Sequence, residues 1–540
     1  MHAGRHKTTR TLRRVLSMRW PSLLLVVALG AALYLPFLGY AGFTQSEGFR
    51  VFPAWHMLHS GDFLVTRLFE QPYLRKPPGM PWAIAAMSSI FGENEWAARS
   101  VSGFSMILGG VLCWWAARRW YGPTWYASLA GVAYLVAPMF WADPGPGRAA
   151  EIEALHNLCV LSVMVLIVET LGPLNSGLPV GQVSRLSANQ HQFRLHRLLL
   201  IPALGLALAA EFLVKGPSGF PALGGLLLAF LFTTRNAKPF LWLLPALAIA
   251  AALVLWWYFS LKAAIAHIEP PPVQEPPSQF LWTPGKELKV LLLPLNALVA
   301  GLPFTLTAGY VLAFQLRGSD TTGKFLSWAM FLGIALYTVL GVSNARYVMP
   351  ALLLGPLTFP ACWENLHWHW PRRAQARKFG RILQLHRPGL VLTILAAAGA
   401  LYSVRLEHRK SFRTSGLAAG IKLGDDLASD ILAHTLPGQP PAAQLWGDEY
   451  IDTRPEVLWY ARREAATKGV TLRPIWKPGL DKTLALPPAG SYLILRDDDG
   501  KREFRDPEWP AFEKAGVFRN ATPVATGTAH VFTFRVYRID

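Results

Sequence analysis

Charge is scarce in this sequence: only 16% of its 540 residues are Asp, Glu, Lys or Arg, where a soluble globular chain carries about 25%. The shortfall argues against an ordinary soluble protein. Acidic residues are the scarcer sign, 33 against 52 Lys and Arg, which leaves a formal net charge of +19. In a soluble protein that excess would point to nucleic acid. In a membrane protein it first reflects the basic loops that stay on the cytoplasmic side, and no nucleic-acid partner is then implied. Cysteine is almost absent: Cys113, Cys159 and Cys362 each lie in or at the end of an apolar run. No CxxC or Cys/His spacing occurs, so neither a zinc site nor a disulfide framework is indicated. The sequence also lacks an internal repeat and any long low-complexity tract, although Pro270–Pro272 and Pro276–Pro277 stiffen one loop.

What the chain has instead is long apolar runs, among them Pro21–Tyr40, Leu198–Val214, Phe240–Phe259 and Leu390–Leu401. A helix needs roughly 20 mostly apolar residues to cross about 30 Å of hydrocarbon. On that measure the chain reads as an α-helical polytopic membrane protein with about eleven spans. They are 20–42, 97–117, 124–141, 153–171, 198–214, 219–233, 239–260, 290–314, 325–342, 347–363 and 389–404. The basic N-terminus followed by Leu23–Leu35 resembles a secretion signal. Its apolar stretch continues to Tyr40, which favours an uncleaved first span. The segment 79–91 is short and interrupted, and suits an amphipathic helix in the plane of the interface.

The loops test this map. Basic residues gather in the N-terminal arm and at Arg118–Arg119, Arg185, Arg194 and Arg197, Arg235 and Lys238, Arg317 and Lys324, and Arg372–Arg387. These alternate loops face the cytoplasm under the positive-inside rule. The external set is then 43–96, 142–152, 215–218, 261–289, 343–346 and the tail from 405. The N-terminus is expected on the cytoplasmic side of the membrane. Residues 1–404 form the membrane domain, with the first external loop at 43–96, and residues 405–540 a small external α/β domain. In that tail Ala443–Trp446 and Tyr492–Leu495 read as buried strands, and His530–Arg538 alternates with Phe532, Phe534 and Val536 on one face. Ile421–Ala433 and Arg454–Ala465 read as helices.

The polar residues that invite a chemical reading sit on the external side. The first loop carries Glu47, Arg50, Asp62, Arg67, Tyr73, Arg75 and Lys76, followed by Pro77–Pro78. Cations there run against the positive-inside trend. They suit an anion such as a lipid phosphate, or an ordinary solvated loop with salt bridges. In WADPGPGRAAEIEAL, Arg148, Glu151 and Glu153 stand where a span begins. A carboxylate there faces a cavity or partner, or merely complements a helix N-terminus. Glu151 and Glu153 are two residues apart, so on a helix they diverge and only one reaches a shared site. Lys215 ends an apolar run before Gly216–Pro217, and Arg346 with Tyr347 lies between two spans. Each suits either phosphate binding or the anchoring of a helix end.

Taken together these segments resemble the polytopic glycosyltransferases of the C superfamily, the bacterial aminoarabinose-transferase and protein-mannosyltransferase-like group. The series is an acidic residue after the first span, a GD turn, YLRKPP followed by Trp82, NEWAARS before the second span, then GRAAEIEAL, LVKGP and ARYVMPALL. The resemblance covers roughly residues 15–365. It implies transfer of a sugar from a polyprenyl-phosphate donor to a lipid, glycan or protein acceptor at the external membrane face, with no cofactor and no metal. It also implies roles: Glu47 and Glu153 as the catalytic carboxylates, and Lys76, Arg75 and Arg346 at the donor phosphate. Arg50, Tyr73, Arg148, Lys215 and Tyr347 are expected at the substrate. The family usually has Asp-Glu in the first loop, where this chain has Ser46-Glu47. The competing reading is a non-catalytic lipid-phosphate binder or transporter; a transporter predicts charges at mid-membrane and repeated halves. A third is a scaffold whose external domain recruits partners, which leaves the Glu47, Lys76 and Arg346 set unexplained.

Overall fold

The structure, a computed structural model, describes residues 19–43, 47–68, 71–122, 124–140, 147–171, 190–266, 287–315, 321–369, 417–447, 455–476, 488–497, 514, 516, 519, 521–529 and 532–540. Its N-terminal part opens with α1 (Arg19–Tyr34) and α2 (Gly48–Ser60), then the two-stranded antiparallel pair β1 (Arg67–Leu68) and β2 (Gln71–Pro72). There follow α3 (Gly79–Phe91), α4 (Glu95–Tyr121), α5 (Thr124–Leu135), α6 (Ile152–Leu171), α7 (Gln190–Lys215), α8 (Phe220–Thr234) and α9 (Leu244–Ile265). Then come α10 (Glu287–Leu291), α11 (Leu293–Ala300), α12 (Phe304–Gln315), α13 (Thr321–Val339), α14 (Met349–Leu352) and α15 (Gly355–His369).

Helix α4 shows why such segments are helical. Asn94 caps it by accepting from the Ala97 amide at 2.8 Å, Glu95 occupies the first turn, and Arg118 and Arg119 occupy the last. All three features complement unsatisfied backbone groups and the helix dipole. Between them the chain is apolar and packs on α1, α5 and α6.

Among the described residues five stretches are long and apolar enough to cross a bilayer, with Leu198–Thr234 taken as one, or six if Leu293–Ala300 and Phe304–Ala313, bent by 104°, form a single span. Trp20–Tyr34, Gly79–Phe91 and Tyr126–Phe140 are shorter apolar helices. The expected count of about eleven is thus not reached by length and composition alone, and the expected span 389–404 lies outside the described residues. A continuous helix over 198–234 would be longer than one bilayer crossing requires. It is broken where the sequence places an external turn: Lys215 has φ −143° and ψ 18°, and Gly216 has φ 63°. The two arms then take different partners, α7 packing on α6 and α9, and α8 on α13. Helix α9 leaves Leu247, Leu255, Trp256 and Phe259 exposed, a surface suited to hydrocarbon.

The C-terminal part comprises α16 (Leu417–His434), β3 (Ala442–Gly447), α17 (Pro455–Thr467), β4 (Thr471–Trp476), β5 (Tyr492–Asp497), β6 (Ala521–Ala529) and β7 (Phe532–Ile539). The sheet order is β4-β3-β5-β7-β6. Strand β3 runs parallel to β4 and β5, and β7 runs antiparallel to β5 and β6. The expected strands and helices are present. Sequence reading missed β4 and β6, which are the two edges. Edge strands tolerate Pro and polar residues because one side makes no ladder, and here they carry Pro474 and Pro523, the latter beside a bulge. The C-terminal residues share a core with the first loop: Phe43, Phe52, Trp55, Met80 and Val214 pack in one cluster with Leu423, Tyr460 and Phe534.

Candidate functional site

Three segments converge at one end of the bundle: the start of α6, the end of α7, and the short 3-10 turn Ala345–Val348 that precedes α14. Glu153 lies in the first turn of α6 and is buried. Its Oε1 accepts from Lys215 Nζ at 3.1 Å and its Oε2 from Arg346 Nη2 at 2.6 Å. The same Nη2 donates to Glu151 Oε2 at 3.0 Å. The expected divergence of Glu151 and Glu153 is corrected here. Helix α6 begins at Ile152, so Glu151 precedes it and helical angular spacing does not govern the pair.

Local backbone features set these side chains in place. Gly216 adopts φ 63° with nothing among the described residues within 4 Å of a would-be Cβ. A non-glycine residue there would be strained by its own backbone, and this conformation ends α7 at Lys215. The Lys215 ammonium stands 4.7 Å from the centre of the Tyr347 ring, a cation–π distance. Asn344 accepts from the Arg346 amide at 2.9 Å and so caps the turn that carries Arg346 and Tyr347. Burial draws the Arg346 guanidinium down, but Glu153 and Glu151 outweigh it and hold the group above its ordinary range. It stays charged at every working pH.

The YLRKPP segment is held against the same place. Helix α3 packs on α7, and a Cβ at Gly79 would come within 2.7 Å of the Leu213 carbonyl oxygen. Lys76, three residues earlier, is close enough for its charge to act on Lys215. Arg75 lies over the Tyr73 ring at 5.7 Å, and Tyr73 stacks on Phe49. Two guanidinium nitrogens, Arg50 Nε and Arg346 Nε, are buried without a hydrogen-bond partner among the described residues. Such donors are expensive to leave unmet. Lys215 and Arg346 both pair with Glu153, Arg346 also pairs with Glu151, and the charge of Lys76 reaches Lys215.

Glu47 occupies a different position, linked to this cluster. Both its oxygens accept from Arg99, Nε to Oε1 at 2.7 Å and Nη2 to Oε2 at 2.8 Å, and Oε1 also accepts from the Ala150 amide at 2.8 Å. Arg99 donates further to the carbonyls of Leu38, Ala41 and Gly42. Arg148 donates to the carbonyls of Leu33 and Pro36 at the end of α1. The structure thus brings together Glu153, Lys215, Arg346 and Tyr347, with Lys76 nearby, and it turns Arg148 toward backbone. Ser46 lies outside the described residues.

Sequence reading assigned no role to Arg99, whose signal was an arginine in the first turns of an apolar helix, costly unless paired. It also passed over a buried set one turn below the site: His156 Nε2 lies 3.1 Å from both Glu211 Oε1 and Ser218 Oγ, and Tyr337 donates to the Ser218 carbonyl. Among the described residues no group of three or more His, Cys, Asp or Glu is placed to hold a metal ion.

The motif series resembles that of the polytopic C-superfamily glycosyltransferases, and comparisons with known proteins bear on that resemblance. The family described as dolichyl-phosphate-mannose-protein mannosyltransferase matches residues 75–172. Undecaprenyl phosphate-alpha-4-amino-4-deoxy-L-arabinose arabinosyl transferase of Pseudomonas savastanoi pv. phaseolicola is 30% identical over 96 residues, 18% of this chain and 14% of that protein. The enzyme of the same name from Enterobacter sp. is 27% identical over 108 residues, 20% of this chain and 19% of that one. The chain therefore matches less than a fifth of the length of these curated relatives. An uncharacterized protein of Aquifex aeolicus is 25% identical over 341 residues, 61% of each chain. Among solved structures, ArnT from Cupriavidus metallidurans in the apo state superposes with a TM-score of 0.60 at 16% identity, covering 95% of this chain and 97% of that one. The same protein bound to undecaprenyl phosphate superposes at 0.58, with the same identity and coverage.

Proposed function

We propose that this chain is a membrane glycosyltransferase. It transfers a sugar from a polyprenyl-phosphate donor to a lipid, glycan or protein acceptor at the external face of an inner membrane. The observation that carries the reading is Arg346, held by Glu151 and Glu153 through one nitrogen while its Nε has no partner among the described residues, with Lys215 on the same Glu153 and Lys76 near Lys215. Cations gathered around a guanidinium that still offers a fork donor suit a phosphate.

In this reading the donor phosphate settles between Lys76 and Arg346. The acceptor hydroxyl attacks the anomeric carbon as the bond from that carbon to the phosphate oxygen breaks. The electron pair leaves with the phosphate, whose growing charge the two cations stabilise. As the guanidinium turns to the phosphate, the Glu151–Glu153 pair loses part of its partner. One carboxylate then takes the acceptor proton. Glu47, with both oxygens on Arg99, serves this arrangement as a positioning residue rather than as the proton acceptor.

The test is transfer by the purified protein in lipid, with radiolabelled polyprenyl-phosphate sugars as donors and a membrane extract as acceptor. Transfer that disappears in Lys76→Ala and Glu153→Gln, with both variants folded, supports the reading. Binding of undecaprenyl phosphate without transfer from any donor would replace it with a non-catalytic lipid-phosphate binder.

A further inference from the structure

The C-terminal part is joined to the first-loop residues by one side chain. Tyr460, on α17, is fully buried. Its hydroxyl accepts from the Phe43 amide at 2.7 Å and donates to Glu95 Oε1 at 2.9 Å. Its ring stacks on Phe43 at 6.3 Å, and the Arg463 guanidinium lies 5.0 Å from the centre of the same ring. One residue along α17, Trp459 sits 4.4 Å from Trp55 and 5.0 Å from Phe52 of α2. Gly42 completes the fit. A Cβ there would stand 2.8 Å from Leu417 Cβ and 2.9 Å from the Tyr460 oxygen.

These contacts do not end at the interface. Gly42, next to Phe43, offers its carbonyl to Arg99 Nη2, which also holds Glu47 Oε2. Glu47 Oε1 receives the Ala150 amide, and the next residue, Glu151, receives Arg346. A continuous series of polar contacts therefore runs from the Tyr460 hydroxyl to the guanidinium assigned to the phosphate. Every member up to Glu151 is buried, so each link is held by the cost of leaving a buried polar group unmet.

We infer that Tyr460 is a positioning residue for the transfer site, and that the C-terminal α/β unit is an integral part of that site's scaffold. It acts through Phe43, Arg99 and Glu47 on the Ala150–Glu151 backbone. The inference rests on the proposed transferase reading for its kinetic consequence, but the coupling itself is a property of the fold.

The experiment uses the full-length protein in nanodiscs and compares Tyr460→Phe with Tyr492→Phe. Tyr492 is in the same C-terminal part, is also buried and also donates to a carboxylate, that of Asp430, but lies outside the series. Hydrogen exchange is read at the Phe43 and Ala150 amides, together with kcat and binding of undecaprenyl phosphate. In Tyr460→Phe we expect exchange at both amides to rise by about tenfold and kcat to fall by about tenfold, the effect of one buried hydrogen bond. Undecaprenyl phosphate binding weakens less than kcat falls, because Lys76, the other cation assigned to the phosphate, is outside the series, and Tyr492→Phe changes neither amide nor kcat. Faster exchange at Phe43 with Ala150 unchanged would overturn the inference. So would equal kcat losses in the two variants, since that marks a general loss of stability. If Tyr460→Phe does not fold, Glu95→Gln and Glu95→Ala take its place, and the inference requires the amide oxygen of Gln to preserve Ala150 protection that Ala loses. If the wild type transfers no sugar, the transferase reading fails and the exchange data alone decide the coupling.

Discussion

Glu47 and Arg99 meet through two parallel hydrogen bonds of 2.7 and 2.8 Å, with 1% and 8% of their side chains exposed. Arg99 has further acceptors in three carbonyls that follow α1, so this single guanidinium ties the end of the first helix to the start of α2 and to Ala150. A carboxylate that the motif series marked as catalytic thus has both oxygens engaged by Arg99 and one also by the Ala150 amide.

Arg99→Lys should therefore be nearly as damaging as Arg99→Ala. A lysine ammonium cannot present the fork that bonds both Glu47 oxygens and the carbonyls at once, and breaking a buried ion pair costs about 3–5 kcal/mol. Thermal unfolding in detergent should show a large drop in midpoint for both variants. A near-wild-type midpoint for Arg99→Lys would show that charge alone, and not the fork, matters there.

Lys76→Ala should behave in the opposite way. Lys76 is half-buried and belongs to no helix, so its loss should leave the unfolding midpoint within a few degrees. Binding of undecaprenyl phosphate should weaken by roughly 10- to 150-fold, the value of a hydrogen bond to a charged group of about 1.5–3 kcal/mol. Raising the salt concentration should reduce the wild-type affinity toward that of the variant. Unchanged binding with reduced protein yield would assign Lys76 to folding instead.

Much of this arrangement was legible in the sequence, and the failures have physical causes. The helical membrane class and the α/β tail follow from apolar run length and period-2 alternation, both local properties. Lys215, Arg346 and Glu153 were singled out because charges at the ends of apolar segments are expensive. What no local pattern carries is partnership. Arg99 lies 52 residues from Glu47 in the chain, and Arg346 lies 195 from Glu151. Glu151 was assigned the wrong geometry because one residue decides whether helical spacing applies. The edge strands β4 and β6 were missed because Pro474 and Pro523 are allowed only where a ladder is one-sided.

Gly216→Ala isolates the backbone component of the site. The glycine has φ 63° and no described residue within 4 Å of an added methyl, so the left-handed conformation is what the substitution penalises, by about 1–2 kcal/mol. We expect a small fall in the unfolding midpoint together with weaker undecaprenyl phosphate binding, because Lys215 is the adjoining residue. Gly122→Ala provides the comparison, since it has φ 86° and equally open surroundings at the far end of α4. If both variants weaken binding alike, the effect on Lys215 is not local.

The Tyr460 contact should also leave a mark on the pH dependence of stability. Burial, then the neighbouring Glu95 carboxylate, push the phenol above its ordinary range, although the Phe43 amide and Arg99 pull the other way. A phenol whose folded value is raised stabilises the fold fully below the unfolded value of about 10, and that contribution is lost as pH rises above it, because the unfolded chain ionises first. The difference in unfolding midpoint between wild type and Tyr460→Phe should therefore be constant from about pH 6 to 9. It should then shrink as pH climbs past about 10, since phenylalanine has no proton to lose. A difference that stays flat through pH 11 would mean that the hydroxyl is solvated in the folded protein. The link from the C-terminal unit to the Phe43 amide would then be absent.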